Sequence, residues 1–336
     1  MSTELATMDP RLAKLVAEVM AALPTEQPQS PSPEPRSGQS RDDWLAEVAA
    51  ARAALDGQGE IHSELVPMAG PEVGSVHDET IEVAGGTITA RVYSPPGAGP
   101  FPAVVGYHGG AWWLAGGEAG FQLTDGYCRR FCAGLPGVVV NVDYRLAPEF
   151  PYPQQLEDSY TALQWVVENA AKLGVDPANV SVMGGSSGGN QAAAVCLLAR
   201  DRGGPPIRAQ LLHVPALDLT LASPSAREDP AVLDGLKTVV RLYATDEQTH
   251  DPYVSPLLAA DLAGLPPAIV VTGEYDYIRD DGRRYVTRLV ADGVDVRAFE
   301  YPMLHNISLP ETTEQMFTDM ISGVRDAQVG RRLSDG

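Results

Sequence analysis

A serine between glycines, at the junction of a strand-like and a helix-like segment, constrains this chain more than any other feature. The segment 184–189 reads Gly-Gly-Ser-Ser-Gly-Gly; it follows the apolar run 180–182 and precedes a helical run over 191–200. A serine in so tight a strand-to-helix turn has a strained backbone, and glycines two residues to either side remove Cβ atoms that would clash there. The pattern predicts a nucleophile elbow. It fits both Ser186 and Ser187, so spacing alone leaves two candidate nucleophiles.

Strand and helix patterns alternate from residue 79 onward. A β-hairpin is predicted around Gly85-Gly86, because alternating apolar and polar residues flank it. Further strands are predicted over 103–107, 138–142, 180–183, 209–213, 268–272 and 296–300, and helices over 118–132, 154–173, 191–200, 281–291 and 311–324. This alternation predicts an α/β fold with a mostly parallel sheet covered on both faces. Catalytic residues of such sheets lie on loops at the carboxyl ends of the strands.

The N-terminal part of the chain has no strand pattern. A helix is predicted over 10–23, a Pro- and Ser-rich connection over 24–39, and a second helix from Asp42-Asp43 to Leu55. We expect residues 1–70 to form a separate helical layer or lid, and residues 71–336 to form the catalytic domain.

The acidic composition argues against two classes of partner. The 336 residues carry a formal net charge of −20, whereas nucleic acids and anionic membrane surfaces bind basic faces. No apolar run reaches the roughly 18 residues that a membrane-spanning helix needs, and the N-terminus lacks the pattern of a signal peptide. We therefore expect neither nucleic acid nor membrane as a partner.

The cysteines indicate a reducing compartment and no metal. Three cysteines are too few, and odd in number, for a disulfide framework, so we expect a cytoplasmic protein. Cys128 and Cys132 are four residues apart in a predicted helix, but no histidine or third cysteine stands at ligand spacing nearby. We interpret them as small buried apolar residues, and we predict no metal and no cofactor.

A nucleophilic serine needs a base and an acid that orients the base. Of six histidines, His305 follows the last predicted strand and comes last in the chain, which favours it as the base. Asp276 follows the strand over 268–272 and is the best candidate for the acid. Its rivals are Glu274, Asp280 and Asp281, of which the last two also suit the N-terminus of the following helix.

A glycine pair after the first long apolar strand suits an oxyanion hole. Gly109 and Gly110 follow Tyr107-His108, and glycines let backbone N–H groups approach a negatively charged oxygen. We interpret His108 as a structural residue that braces this loop. Trp112 and Trp113 come next, and each is a candidate either for the substrate pocket or for the core.

Together these blocks resemble the hormone-sensitive-lipase-like family of α/β-hydrolases, over roughly residues 81–324. The similar blocks are His108–Trp112, Val142–Glu149, Gly184–Gly189, Asp251–Leu257 and Asp276–Asp280. The resemblance implies Ser186 as nucleophile, His305 as base and Asp276 as acid. It also implies that the N–H of Ser187 joins those of Gly109 and Gly110 in the oxyanion hole.

The resemblance has further implications and two departures. It implies that part of 223–244 joins the N-terminal helices in a cap, and that the protein forms a homodimer. Gly185 replaces the family's usual acidic residue and Ser187 its usual alanine, while Asn306-Ile307 follows His305 in place of Gly-Phe. These changes leave the three candidate triad residues in place and bear on substrate preference.

The leading prediction is a serine carboxylesterase that hydrolyses small to medium acyl esters, with a small-molecule ester as its partner. One alternative is an amidase, deacetylase or acyltransferase that uses the same triad on a specialised metabolite. Another is a non-catalytic ligand-binding protein on the same fold. The presence of His305 argues against this last reading.

Overall fold

The fold is described from a computed structural model. It covers residues 8–22, 30–65 and 68–335, with the side chains of 58–65 excepted. Residues 24–29 of the predicted Pro- and Ser-rich connection lie outside the described residues.

An eight-stranded sheet forms the centre of the molecule. Its strands are β1 (Ser75–Val83), β2 (Gly86–Ser94), β3 (Phe101–Tyr107), β4 (Val138–Asp143), β5 (Val175–Gly185), β6 (Gln210–His213), β7 (Ala268–Gly273) and β8 (Val296–Tyr301). Their spatial order is β1-β2-β4-β3-β5-β6-β7-β8. Strand β2 pairs antiparallel with β1 and β4, and all other neighbours are parallel. The predicted hairpin and α/β class are confirmed.

The helices of the described residues follow the predicted order, but one predicted helix is divided and one helix was not predicted. They are α1 (Pro10–Ala22), α2 (Arg41–Leu65), α3 (Gly117–Gly134), α4 (Gln154–Glu168), α5 (Ala170–Leu173), α6 (Ser187–Arg202), α7 (Pro230–Tyr243), α8 (Arg279–Ala291) and α9 (Pro310–Gln328). The single helix predicted over 154–173 is two helices that meet at Asn169. Helix α7 was not predicted as a helix. No helix in the described ranges has the length and apolar character needed to cross a membrane.

Helix α2 differs from its prediction at both ends. Ser40, not the aspartates, caps its N-terminus, because Oγ of Ser40 accepts the N–H of Asp43 at 3.1 Å. Asp42 and Asp43 lie in the first turn, where negative charge favours the helix dipole. The helix continues ten residues beyond Leu55. Gly57 lies in this extension and is a poor helix former, so the local sequence does not predict that the helix continues past Leu55.

Two apolar clusters hold helices on the faces of the sheet. On one face, α4, α6 and α8 pack on strand residues such as Val105 and Val140, which are fully buried. On the other face, α3 and α9 pack on residues such as Val104 and Val139. Consecutive residues of the central strands therefore pack on opposite faces, and strands such as β4 and β7 have nearly continuous apolar sequences.

A third apolar cluster joins α2 and α7 to the loop after β3. Trp44 and Val48 of α2 pack in this cluster together with Tyr243 of α7, Trp112 and Trp113. The cluster places both helices above the carboxyl ends of the central strands, where the candidate catalytic residues were predicted.

Candidate active site

The turn between β5 and α6 distinguishes the two candidate serines. Ser186 has φ +55° and ψ −119°, a conformation that L-residues rarely adopt. A Cβ on Gly184 would lie 2.1 Å from the carbonyl oxygen of Gly188, and a Cβ on Gly188 would lie 2.0 Å from that of Tyr107. The two glycines that the turn requires are thus those that flank Ser186. Ser187 begins α6 and is fully buried.

His305 connects Ser186 to Asp276. Its Nε2 lies 2.9 Å from Oγ of Ser186, and its Nδ1 lies 2.8 Å from Oδ2 of Asp276. Asp276 is 1% exposed, and its other oxygen accepts the backbone N–H of Ile278 at 2.9 Å. An ionised carboxylate only accepts hydrogen bonds, so Nδ1 carries the imidazole proton and Nε2 is left to accept the proton of the serine hydroxyl.

The rival acids have other environments. Glu274 is exposed, and Asp280 accepts the backbone N–H of Ser225 at 3.0 Å. Asp281 is buried and accepts hydrogen bonds from the Ser223 hydroxyl and from the N–H groups of Leu217 and Asp218. The structure therefore brings Asp276, and none of these three, to His305.

The sheet explains why residues so distant in sequence meet. Ser186 follows β5, Asp276 follows β7 and His305 follows β8. These three strands run parallel, with β6 between β5 and β7 and with β8 beside β7. Their carboxyl ends share one edge of the sheet, and the loops that leave this edge converge.

The loop after β3 lies against the elbow. Tyr107 pairs with Gly184 across β3 and β5, and a Cβ on Gly109 would be only 3.6 Å from Cβ of Ser186. Gly110 has φ +113°, and a Cβ there would lie 2.5 Å from the carbonyl oxygen of Leu114. Glycine is therefore required at 110 for both conformation and space.

His108 braces this loop, as predicted. Its ring stacks on that of Tyr144, with centroids 4.3 Å apart and planes 3° from parallel. Its Nδ1 lies 2.7 Å from the carbonyl oxygen of Gly109, and the Tyr144 hydroxyl donates to the carbonyl of His108 at 2.7 Å. Burial lowers the pKa of His108, so the ring is a neutral support for the loop.

A cavity of about 310 Å³ opens beside Ser186. Its walls come from the loop after β3, the segment after β6, the turn before α8, and helix α7. Lining residues include Trp112, Leu219, Tyr277, Leu236 and Val240. Apart from Asp218, Asp281, Tyr277 and two serines, the lining side chains are apolar, so an alkyl or aryl group would be bound there by exclusion of water.

The structure separates the two tryptophans that were candidates for this pocket. Trp112 lines the cavity, stacks on Tyr243 at 4.9 Å, and directs its indole N–H to Oδ1 of Asn190 at 3.3 Å. Trp113 does not line it. The side chain of Trp113 is 1% exposed and packs in the apolar cluster with Trp44 and Val48, which favours the core over the substrate pocket, the two alternatives that the sequence leaves open.

His213 is a site residue whose environment sequence reasoning missed. It is the last residue of β6. Its carbonyl accepts the N–H of Ser186 at 2.9 Å, but its buried Nε2 has no hydrogen-bond partner within the described part of the chain. Burial, and then the proximity of His305, lowers the pKa of His213 to about 4. A neutral second imidazole thus lies close to the triad.

The cysteines lie away from this site. Cys128 and Cys132 pack in the apolar cluster between α3 and the sheet, and burial raises the pKa of Cys132 to about 11. Among the described residues, no group of three or more His, Cys, Asp and Glu side chains could hold a metal ion.

Comparisons with known proteins place this geometry in a family. The model of a family with the alpha/beta hydrolase fold matches residues 104–308. The chain belongs to the α/β-hydrolase family. The match contains Gly109, Ser186, Asp276 and His305, and the expected resemblance to the hormone-sensitive-lipase-like hydrolases is confirmed.

Individual α/β-hydrolases are similar over most of the chain. Carboxylesterase NlhH of Mycobacterium tuberculosis is 42% identical over 241 residues, which are 68% of this chain and 74% of that protein. Arylacetamide deacetylase of Bos taurus is 33% identical over 257 residues, 56% of this chain and 63% of that protein. The solved structure of the Pyrobaculum calidifontis esterase is 37% identical, with a TM-score of 0.76, and covers 84% of this chain and 94% of its own.

Proposed function

We propose that this protein is a serine carboxylesterase that hydrolyses small to medium acyl esters. Ser186 is the nucleophile, His305 the general base and acid, and Asp276 the residue that orients His305. The backbone N–H groups of Gly109, Gly110 and Ser187 stabilise the oxyanion. The observation that carries the proposal is the continuous chain of hydrogen bonds from Asp276 through His305 to a serine held at φ +55°.

The reaction proceeds in two half-reactions. Oγ of Ser186 attacks the ester carbonyl carbon while Nε2 of His305 takes the hydroxyl proton, giving a tetrahedral oxyanion. The intermediate collapses to an acyl-enzyme, and the departing alkoxide receives the proton from His305. Water then attacks the acyl carbon, gives a proton to His305, and the second collapse returns that proton to Ser186 and releases the carboxylic acid.

Asp276 supports both half-reactions by position and charge. Its carboxylate holds Nδ1 of His305 at 2.8 Å, which fixes the tautomer that accepts the serine proton. It also stabilises the imidazolium that forms while the oxyanion exists. Because Asp276 is 1% exposed and also bound by a backbone N–H, it keeps this orientation through the cycle.

Substitution of the two adjacent serines tests the proposal. Hydrolysis of p-nitrophenyl acetate is expected to vanish in Ser186→Ala and to persist in Ser187→Ala, because only Ser186 contacts His305. A fluorophosphonate probe is expected to label the wild type and Ser187→Ala but not Ser186→Ala. The reverse pattern would move the nucleophile to Ser187, and a wild type that neither hydrolyses nor labels would favour a non-catalytic ligand-binding protein.

Amide hydrolysis is a second candidate function. Arylacetamide deacetylase, a similar protein, carries an amide substrate in its name, and the same Ser186 and His305 could cleave an N-acyl bond if His305 protonates the departing amine. A panel that pairs each p-nitrophenyl ester with the corresponding p-nitroanilide separates the two functions. Addition of alcohols to the same assay, with detection of the new ester, tests acyl transfer.

We also propose a division of the chain into a cap and a catalytic domain. Residues 1–70 and a contribution from 223–244 form the cap, and residues 71–336 otherwise form the catalytic domain. Packing of α2 and α7 in one apolar cluster supports this division, as does the position of α7 on the cavity beside Ser186. The homodimer implied by the family resemblance stays a prediction.

A further inference from the structure

The inner face of α7 forms one wall of the cavity beside Ser186. Its contributing residues recur at helical spacing: Val232, Gly235, Leu236, Val239 and Val240. Four of them have branched aliphatic side chains, and the fifth has none. The wall is therefore an apolar surface with a gap at one position, and the gap faces the same space as the candidate nucleophile.

The fold does not require glycine at position 235. Gly235 lies in the middle of α7, where its backbone is helical, so no positive φ calls for glycine. A Cβ built on Gly235 would meet nothing within 4 Å, so no close approach calls for it either. Among ordinary residues, glycine is the least favourable in a helix interior. Gly235 is exposed, so the missing side chain weakens the helix and leaves a space that is open to solvent as well as to the cavity.

We propose that Gly235 determines how long an alkyl arm of the ester the cavity accepts. The space at its α carbon holds the distal part of that arm, which packs against Leu236 and Val239. This inference rests on the proposed esterase function and adds the substrate class: esters with one extended apolar chain, on either the acyl or the alcohol side. A larger side chain at 235 occupies that space and shortens the accepted chain.

The test uses Gly235→Leu and Gly235→Ala in the full-length protein. Gly57→Leu is the matched control, because Gly57 also lies within a helix, has nothing within 4 Å of its Cβ, and is absent from the cavity lining. The measurement is kcat/KM for p-nitrophenyl esters from acetate to dodecanoate and for alkyl acetates from methyl to decyl. The first series varies the acyl arm and the second varies the alcohol arm.

In Gly235→Leu, we expect kcat/KM for the longest good substrates of one series to fall about tenfold or more relative to kcat/KM for its shortest member, since methylene-sized misfits cost at least that much. Gly235→Ala is expected to lie between, and Gly57→Leu to match wild type. Because both variants raise helix propensity, α7 is expected to stay folded, which circular dichroism and thermal unfolding check.

Two outcomes would overturn the inference. One is an unchanged length profile in both series for Gly235→Leu; the other is a uniform loss at all chain lengths in both Gly235 variants. Failure of the proposed function has a different signature, since the wild-type protein would then hydrolyse no member of either series.

Discussion

Gly185 and His213 face each other across strands β5 and β6, and a Cβ on Gly185 would lie 3.6 Å from Nδ1 of His213. This is an ordinary contact distance, so crowding does not require glycine at 185, in contrast with Gly184. The usual residue of the family at this position is acidic. Its absence leaves His213 without a carboxylate from residue 185, next to a candidate triad to which His213 is hydrogen-bonded through its backbone carbonyl.

An acidic residue at 185 is expected to raise the pKa of His213. In Gly185→Asp, the new carboxylate would lie near Nδ1 and favour the imidazolium form, which burial now disfavours. The measurement is an NMR titration of the His213 ring. Gly185→Asn is the matched control, since it has the same shape without the charge. Equal pKa values in the two variants would show that the carboxylate does not reach His213.

His213 is also expected to reduce stability in acid. An unperturbed imidazole has a pKa of about 6.5, and His213 has a folded-state pKa of about 4. Between these values the unfolded chain binds a proton that the folded chain does not, so stability falls as pH falls from about 6.5 to about 4. The loss at pH 5 is about 2 kcal/mol. Urea unfolding at pH 7 and pH 5 measures it, and His213→Gln is expected to lose correspondingly less stability over the same range.

The contribution of Asp281 to stability depends on pH in the opposite direction to that of His213. Burial raises its pKa from 3.8 to about 7, against the hydrogen bonds it accepts from Ser223 and backbone N–H groups. Between these values the folded chain binds the extra proton, so the contribution of Asp281 to stability falls as pH rises from about 4 to about 7. Asp281→Asn is therefore expected to steepen the loss of stability in acid, whereas His213→Gln flattens it. The same slope in both variants would contradict these assignments.

The catalytic candidates could be predicted because their signals are local. Ser186, Asp276 and His305 each follow an apolar strand, and parallel strands bring their carboxyl ends to one edge whatever the loops between them. Glycine spacing left two serines open, and only the contact with His305 and the crowding at Gly184 and Gly188 separate them geometrically.

The cavity and its surroundings could not be predicted, because they depend on packing between distant segments. Trp112 and Trp113 are adjacent and chemically equal, and which ring lines the cavity depends on the path of a loop that has positive φ at Ala111 and Trp112. Helix α7 was not predicted as a helix, and its position depends on the apolar cluster that it shares with α2 and the loop after β3. The unpartnered Nε2 of His213 likewise depends on what surrounds β6.

The two tryptophans are expected to have separable roles. Trp112→Leu removes a cavity wall, and a change of about tenfold in kcat/KM for p-nitrophenyl esters is expected. Trp113→Leu removes a buried ring that does not line the cavity, so the expected effect is a loss of about 2–4 kcal/mol in the free energy of unfolding. Kinetics on the folded fraction together with urea unfolding separate these effects. Equal kinetic defects in the two variants would place Trp113 in the pocket after all.

Arg52 is expected to hold helix α2 over the candidate active site. Its guanidinium donates to both carboxylate oxygens of Glu149 at 2.9 and 2.7 Å, to the carbonyl of Trp113 at 2.7 Å and to that of Ala147 at 2.9 Å. The pair is partly buried, with side chains 18% and 27% exposed, so solvent screens it only in part. Arg52→Ala is expected to cost about 2 kcal/mol in the free energy of unfolding, since hydrogen bonds to charged groups contribute about 1.5–3 kcal/mol.

Arg36→Ala is the matched control for the Arg52 variant. Arg36 precedes α2 and forms an ion pair with Glu47 of α2. The two side chains are 66% and 45% exposed, and exposed ion pairs contribute at most about 1 kcal/mol. Limited proteolysis then shows which part of the chain is destabilised. Faster cleavage within α2 of Arg52→Ala, with the catalytic domain intact, is expected if Arg52 anchors the cap. Equal cleavage rates in the two variants would show that the apolar cluster around Trp44 and Val48 holds α2 without it.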